Sequence, residues 1–191
     1  FGWTADKATS FAILAAFHEA GFNAVDTADV YNRYAPGLQG GESETVIGRW
    51  IAKRGRHDDV IIATKVGSDM GLGYKCLKRD YIVRAVEDSL RRLQVEAIDL
   101  YQSHWDDETT PLEETLAAYA TLIAQGKVRA IGASNLTAAR LTEALAISKA
   151  PLWASKRMAL PMPSSSRAAP NSWHALARLR RLGVSSTPIP I

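Results

Sequence analysis

The stretch IDLYQSHWDDETTPLEETLAAYATLIAQGKVRAIGASN, residues 98–135, decides the fold. It opens on a short apolar run, Ile98 to Gln102, that ends in Ser103 and His104, and closes on a second, Val128 to Ala133, that ends in Ser134 and Asn135. Both runs have strand length, with Val and Ile prominent. Between them the spacing predicts a helix with Thr110 as N-cap, Pro111 at the first helical position, Glu113 completing a capping box and Gly126 just past the end. Strand, helix and strand in this order make a right-handed βαβ unit with parallel strands.

The same rhythm runs towards the N-terminus. Asn23 to Thr27 and Asp59 to Thr64 read as strands, and Val46, Ile47, Trp50 and Ile51 fall on one helical face, as do Val83, Val86, Leu90 and Leu93. Further helices are predicted at residues 6–20, before Gly21, and 138–149, after Thr137. A parallel sheet with alternating helices follows, either doubly wound or a (β/α)8 barrel. The glycine-rich fingerprints of dinucleotide- and phosphate-binding open sheets do not occur, and Gly71-Leu72-Gly73 reads as a flexible loop.

Polar residues gather where the strands end: Asp26 and Thr27, Thr64 and Lys65, Ser103 and His104, Ser134 and Asn135. In a barrel these ends share one rim, where active sites are built. Each residue has an ordinary reading of its own. Lys65 reads as a charge escaping to solvent, Asp26 as a cap or turn former, and Tyr31 as a half-buried amphipathic ring. His104 reads as a structural histidine or a metal ligand, Asp106 and Asp107 as acids facing water or capping a turn, and Ser134 and Asn135 as a helix entry. Taken together they compose a chemistry. A Lys cation held by a carboxylate stabilises negative charge on a neighbouring phenol oxygen, which makes Tyr31 a candidate general acid. A histidine on the same rim orients a carbonyl, and an amide with a hydroxyl matches the donors and acceptor of a carboxamide.

Five motifs in order carry a resemblance to a known family: Asp26-Thr27-Ala28-Asp29-Val30-Tyr31, Gly41-Glu42-Ser43-Glu44, Ala63-Thr64-Lys65-Val66, Ile98 through His104, and Val128 through Asn135. Over residues 1–149 the chain resembles an aldo-keto reductase, closest in feel to the bacterial branch related to potassium-channel β subunits. The resemblance implies an incomplete (β/α)8 TIM barrel of about five to six βα units and a catalytic tetrad of Asp26, Tyr31, Lys65 and His104. It further implies that Ser134 and Asn135, with Asp26 nearby, meet the nicotinamide of NADPH, and that Trp3 and Trp105 line the substrate pocket. No metal is implied. The implied activity is NADPH-dependent reduction of small aldehydes or ketones to alcohols, the alternative being a non-catalytic nicotinamide-binding regulatory subunit.

Composition bounds the setting. The 191 residues include 47% hydrophobic and 23% charged, an ordinary globular mixture. No apolar run approaches the ~20 residues needed to span a bilayer. Phe1-Gly2-Trp3-Thr4 has neither a basic n-region nor an initiating Met, so a clipped, non-membrane chain is expected. The single cysteine, Cys76, excludes an internal disulfide and fits a reducing cytoplasm. The net charge of +3 is uneven: residues 151–191 hold six basic and no acidic residues, so the body offers no reason to expect a nucleic-acid groove.

That tail, residues 150–191, also holds six of the eight prolines and the run Ser164-Ser165-Ser166. It departs from the family pattern, lacking the Gln that would stack under the nicotinamide, while a helix over 171–182 is compatible with its spacing. A reading-frame slip and natural divergence both accommodate it. The expectation is a chain truncated at both ends, aberrant after about residue 150 and weakly active or inactive. Oligomeric state is not written in the sequence.

Overall fold

The computed structural model describes residues 1–149; the divergent tail, its helix at 171–182 and the domain boundary near 150 lie outside the described residues. Helix α1 (Lys7–Glu19) leads into β1 (Ala24–Asp26), α2 (Glu42–Arg54), β2 (Ile61–Val66), α3 (Arg79–Leu93), β3 (Ile98–Ser103), α4 (Leu112–Ala124), β4 (Val128–Ala133) and α5 (Ala138–Lys149). The strands form one parallel sheet in the order β1-β2-β3-β4. Each strand lies beside its predecessor, with no reversal of order such as a doubly wound sheet shows at its switch point. The sheet is a four-stranded segment of a (β/α)8 barrel.

Alternation along the strands sorts the side chains. On β2, Ile62, Thr64 and Val66 share one face while Ala63 and Lys65 share the other. Ile62 and Val66 join Ile47, Trp50, Ile82, Val86, Leu93 and Tyr101 in a continuous apolar layer between sheet and helices. The α2–α3 contact within it is very close. A Cβ at Gly48 would lie 2.1 Å from the Arg92 carbonyl oxygen, so only glycine lets α2 approach. Beside it the buried Glu44 carboxylate accepts from Thr64 Oγ1 (2.6 Å) and from Arg92 Nε (2.6 Å), joining α2, β2 and α3.

The helix at 112–124 departs from expectation at its start. Pro111 is the N-cap, and no side chain caps the helix. With Pro111 as the N-cap, Thr110 stands one residue too early for the predicted capping box with Glu113, and its hydroxyl donates to Asp107 Oδ2 (2.6 Å). Asp107 organises the turn. It also accepts from the Thr109 hydroxyl and N–H and from the Leu77 N–H, and although burial opposes its charge these bonds hold the carboxyl below its usual range. Asp106 does not simply face water either, being ion-paired with Arg140 of α5 (2.8 Å). At Gly71-Leu72-Gly73, the Gly71 and Gly73 N–H groups both donate to Asp69 Oδ1, which pins the loop.

Candidate active site

Main-chain pairing continues past the strand ends and builds the rim. Asp29 N–H donates to Lys65 O (3.2 Å), His104 N–H to Val66 O (2.7 Å) and Ser134 N–H to Ser103 O (2.8 Å). These bonds carry the residues following β1, β3 and β4 onto one end of the sheet.

Lys65 is the hub. Its reading as a charge escaping to solvent is wrong: it is 7% exposed, and its ammonium donates to Asp26 Oδ2 (2.5 Å), Thr27 O (2.8 Å) and Tyr31 Oη (3.0 Å). An ammonium has three donors and no acceptor, so the side chain is fully satisfied. The consequence falls on Tyr31, whose oxygen accepts from Lys65 and whose own proton therefore points elsewhere. Tyr31 is partly open to solvent, at 36% exposure. The His104 ring meets it edge-on, with centroids 5.8 Å apart. Burial, and after it the Lys65 cation, push the His104 imidazole below the usual histidine range against the opposing pull of Asp26, so the ring is neutral near pH 7.

Trp105 stacks on His104 at 6.2 Å, with Lys75 Nζ 4.5 Å from the Trp105 ring centroid. Asn135, at φ 56°, donates through Nδ2 to His104 O (2.8 Å) and Ser134 Oγ (3.1 Å). Trp3 is 60% exposed and not joined to the tetrad by a described contact. Its segment is held near Tyr31 through Asn32, whose side-chain amide donates to Phe1 O. The structure thus brings Asp26, Tyr31, Lys65 and His104 together, with Trp105, Ser134 and Asn135 beside them.

Two polar residues near this centre escaped the sequence reading. Gln102 donates to Asp26 Oδ1 (3.3 Å), and its strand position, alternating with Tyr101, was the signal for it. Asp29 is buried behind the turn, and its Oδ1 has no partner among the described residues. Burial, then the Glu44 carboxylate, push its carboxyl up to about 7, opposed by the Val30 N–H, Arg92 and Lys65. Asp29 also borders a cavity of about 760 Å³ beside α3, shared with Tyr81, Arg84 and Arg92; no tetrad residue lines it. Among the described residues there is no grouping of three or more His, Cys, Asp or Glu suited to a metal. No helix among them is long and apolar enough to cross a membrane.

Residues 1–169 match the model of the Aldo/keto reductase family. The chain belongs to that family. Aldo-keto reductase YhdN of Bacillus subtilis is 40% identical over 134 residues, covering 69% of this chain and 38% of the relative. An aryl-alcohol dehydrogenase [NADP(+)] of Phanerodontia chrysosporium is 36% identical over 146 residues, 71% of this chain and 36% of that protein. A solved glycerol dehydrogenase of Gluconobacter oxydans superposes with a TM-score of 0.63 at 34% identity, covering 80% of this chain and 45% of that one. This aldo/keto reductase chain therefore spans less than half the length of these three relatives.

Proposed function

We propose that the protein reduces small aldehydes or ketones to alcohols with NADPH. The observation that carries this reading is the Lys65 ammonium, whose bonds to Asp26, Thr27 O and Tyr31 Oη leave the phenol proton free for a substrate oxygen. When bound, the nicotinamide supplies the hydride to the carbonyl carbon. Tyr31 delivers the proton to the carbonyl oxygen, and the phenolate left behind is held by Lys65 until solvent returns a proton. Neutral His104 orients the carbonyl oxygen through a ring N–H, and Trp105 covers that ring.

The rim suits a carboxamide. The Asn135 amide nitrogen is engaged by His104 O and Ser134 Oγ, which leaves its carbonyl to accept from a carboxamide NH₂. Ser134 Oγ accepts from Asn135, so its own proton is available to the carboxamide oxygen. NADPH, as distinct from NADH, is supported by the NADP(+) in the name of the Phanerodontia relative. A reducing, cytoplasmic setting is supported by the single buried cysteine, Cys76, which has no disulfide.

The test is the loss of NADPH absorbance on adding a small aldehyde. A positioned acid contributes about 10²–10⁴ in rate, so Tyr31→Phe should lose that factor in kcat/KM while still quenching on cofactor titration. Equal turnover by wild type and Tyr31→Phe removes Tyr31 from its role. Tight NADPH binding with no turnover on any carbonyl supports a regulatory nicotinamide-binding subunit instead.

A further inference from the structure

We propose that Gln102 is a positioning residue that fixes the Asp26 carboxylate, and through it Lys65, and that Gly132 is the clearance that admits it. This inference rests on the reductase reading for its catalytic consequence and on geometry alone for the contact.

Asp26 closes β1, a strand of three residues, and its side chain is 55% exposed. A carboxylate in that position turns readily about its last torsion, which has a broad two-fold profile. One oxygen, Oδ2, faces Lys65; the other, Oδ1, receives the Gln102 amide (3.3 Å). An ionised carboxylate only accepts, so it is the amide nitrogen of Gln102 that turns towards it. With both oxygens engaged, the plane of the carboxylate is set, and so is the direction from which it holds the ammonium. Lys65 also holds Tyr31, which makes a slack Asp26 a slack acid.

The sheet register places Gln102 for this. Lys65 pairs with Gln102 across β2 and β3, and Gln102 with Gly132 across β3 and β4, so the three share one row on one face. Gly132 is the revealing member. A glycine inside a strand weakens it unless something must approach closely. Gly132 does not take a positive φ, so backbone conformation does not call for it. A Cβ there would stand 3.1 Å from Gln102 Cγ and 3.4 Å from Gln102 Oε1. Leu100 Cδ1 would be 3.4 Å away, an ordinary contact, so the crowding falls on Gln102 Cγ, which would have to shift by a few tenths of an ångström from the position in which the side chain reaches Asp26.

Two readouts test the inference on the full chain. The first is independent of turnover: competitive acetylation with isotopically distinct acetic anhydrides, read by mass spectrometry at each lysine. Gln102→Ala should speed acetylation of Lys65 severalfold, Asp26→Asn should do the same, and both should leave Lys53 and Lys127 unchanged. The second is kinetic. Gln102→Ala should lower kcat about ten-fold, the size of one hydrogen bond to a charged group, with little change in KM. Gly132→Ala should lower kcat in the wild-type background and have no further effect in Gln102→Ala, where no Cγ remains to be displaced. Unchanged Lys65 acetylation in a Gln102→Ala chain that melts like wild type overturns the proposal. So does a Gly132→Ala loss that persists undiminished in the Gln102→Ala background. Absence of turnover in the wild type, with Lys65 responding as stated, counts against the reductase reading and not against the contact.

Discussion

Asp29 is 2% exposed, with one oxygen unpartnered among the described residues and its carboxyl pushed up to about 7. The unfolded chain gives up this proton near pH 4, whereas the folded protein keeps it until about pH 7. Native Asp29 therefore holds more protons across that window, and stability falls as pH rises through it, with the penalty complete above pH 7. The ceiling is about 4 kcal/mol, from roughly three pH units at about 1.4 kcal/mol each. Asp29→Asn should match wild type near pH 4 and exceed it increasingly towards pH 8 in urea melts; parallel curves across that range would contradict this. His104 has the opposite sign. Its folded pKa is depressed, so the unfolded chain takes up the proton first, and its contribution is lost as pH falls below about 6.5. With Asp29 removed, that acid-side loss should stand out. That Asp26, Tyr31, Lys65 and His104 meet was legible because they lie at or just beyond strand ends, which a parallel sheet gathers on one rim, and in motifs that carry the family resemblance. The sequence did not disclose Asp29 or Gln102, whose partners sit on other strands and helices and depend on register and packing depth.

At the scale of elements, the strands and helices were legible from apolar periodicity, while their termini were settled by competing polar partners. Thr110 shows why. Its hydroxyl donates to the Asp107 carboxylate, a charge-assisted bond that holds Thr110 in the preceding turn, one place before the N-cap Pro111, where it does not cap α4. Glu113→Ala should therefore shift stability by no more than ~0.5 kcal/mol, as for an ordinary surface change. Asp107→Ala should cost about 1–3 kcal/mol, because the Leu77 N–H and Thr110 hydroxyl are buried and lose their acceptor. Comparable losses in the two variants would restore the capping box. The α2–α3 contact gives a sharper test. A methyl group at Gly48 cannot coexist with the Arg92 carbonyl 2.1 Å away, so the helices must part. Gly48→Ala should destabilise by about 1–3 kcal/mol in spite of alanine's better helix propensity, and a more stable variant would show that the approach is looser than described.

For the whole molecule, alternation of strands and helices predicted a parallel sheet but left two layouts open, because a doubly wound sheet and a barrel share that rhythm. Strand order separates them, and order is a property of packing that no local pattern records. The same order sets the distribution of stability. Among the described residues β2 and β3 have a strand on each side, whereas β1 and β4 are each paired on one side. β1 is only three residues long, and α1 beside it buries just Ser10 and Leu14. Local opening follows the density of buried contacts and paired main chain, so protection should be highest at Ile62–Val66 and Leu100–Ser103. It should be lower along Val128–Ala133, and lowest at Ala24–Asp26 and in α1. Hydrogen–deuterium exchange of the chain, resolved by peptide, measures this ranking. Protection of Ala24–Asp26 equal to that of Leu100–Ser103 would mean that the free side of β1 is covered by a strand-like partner, and the rim carrying Asp26 would then be stiffer than its single neighbour makes it.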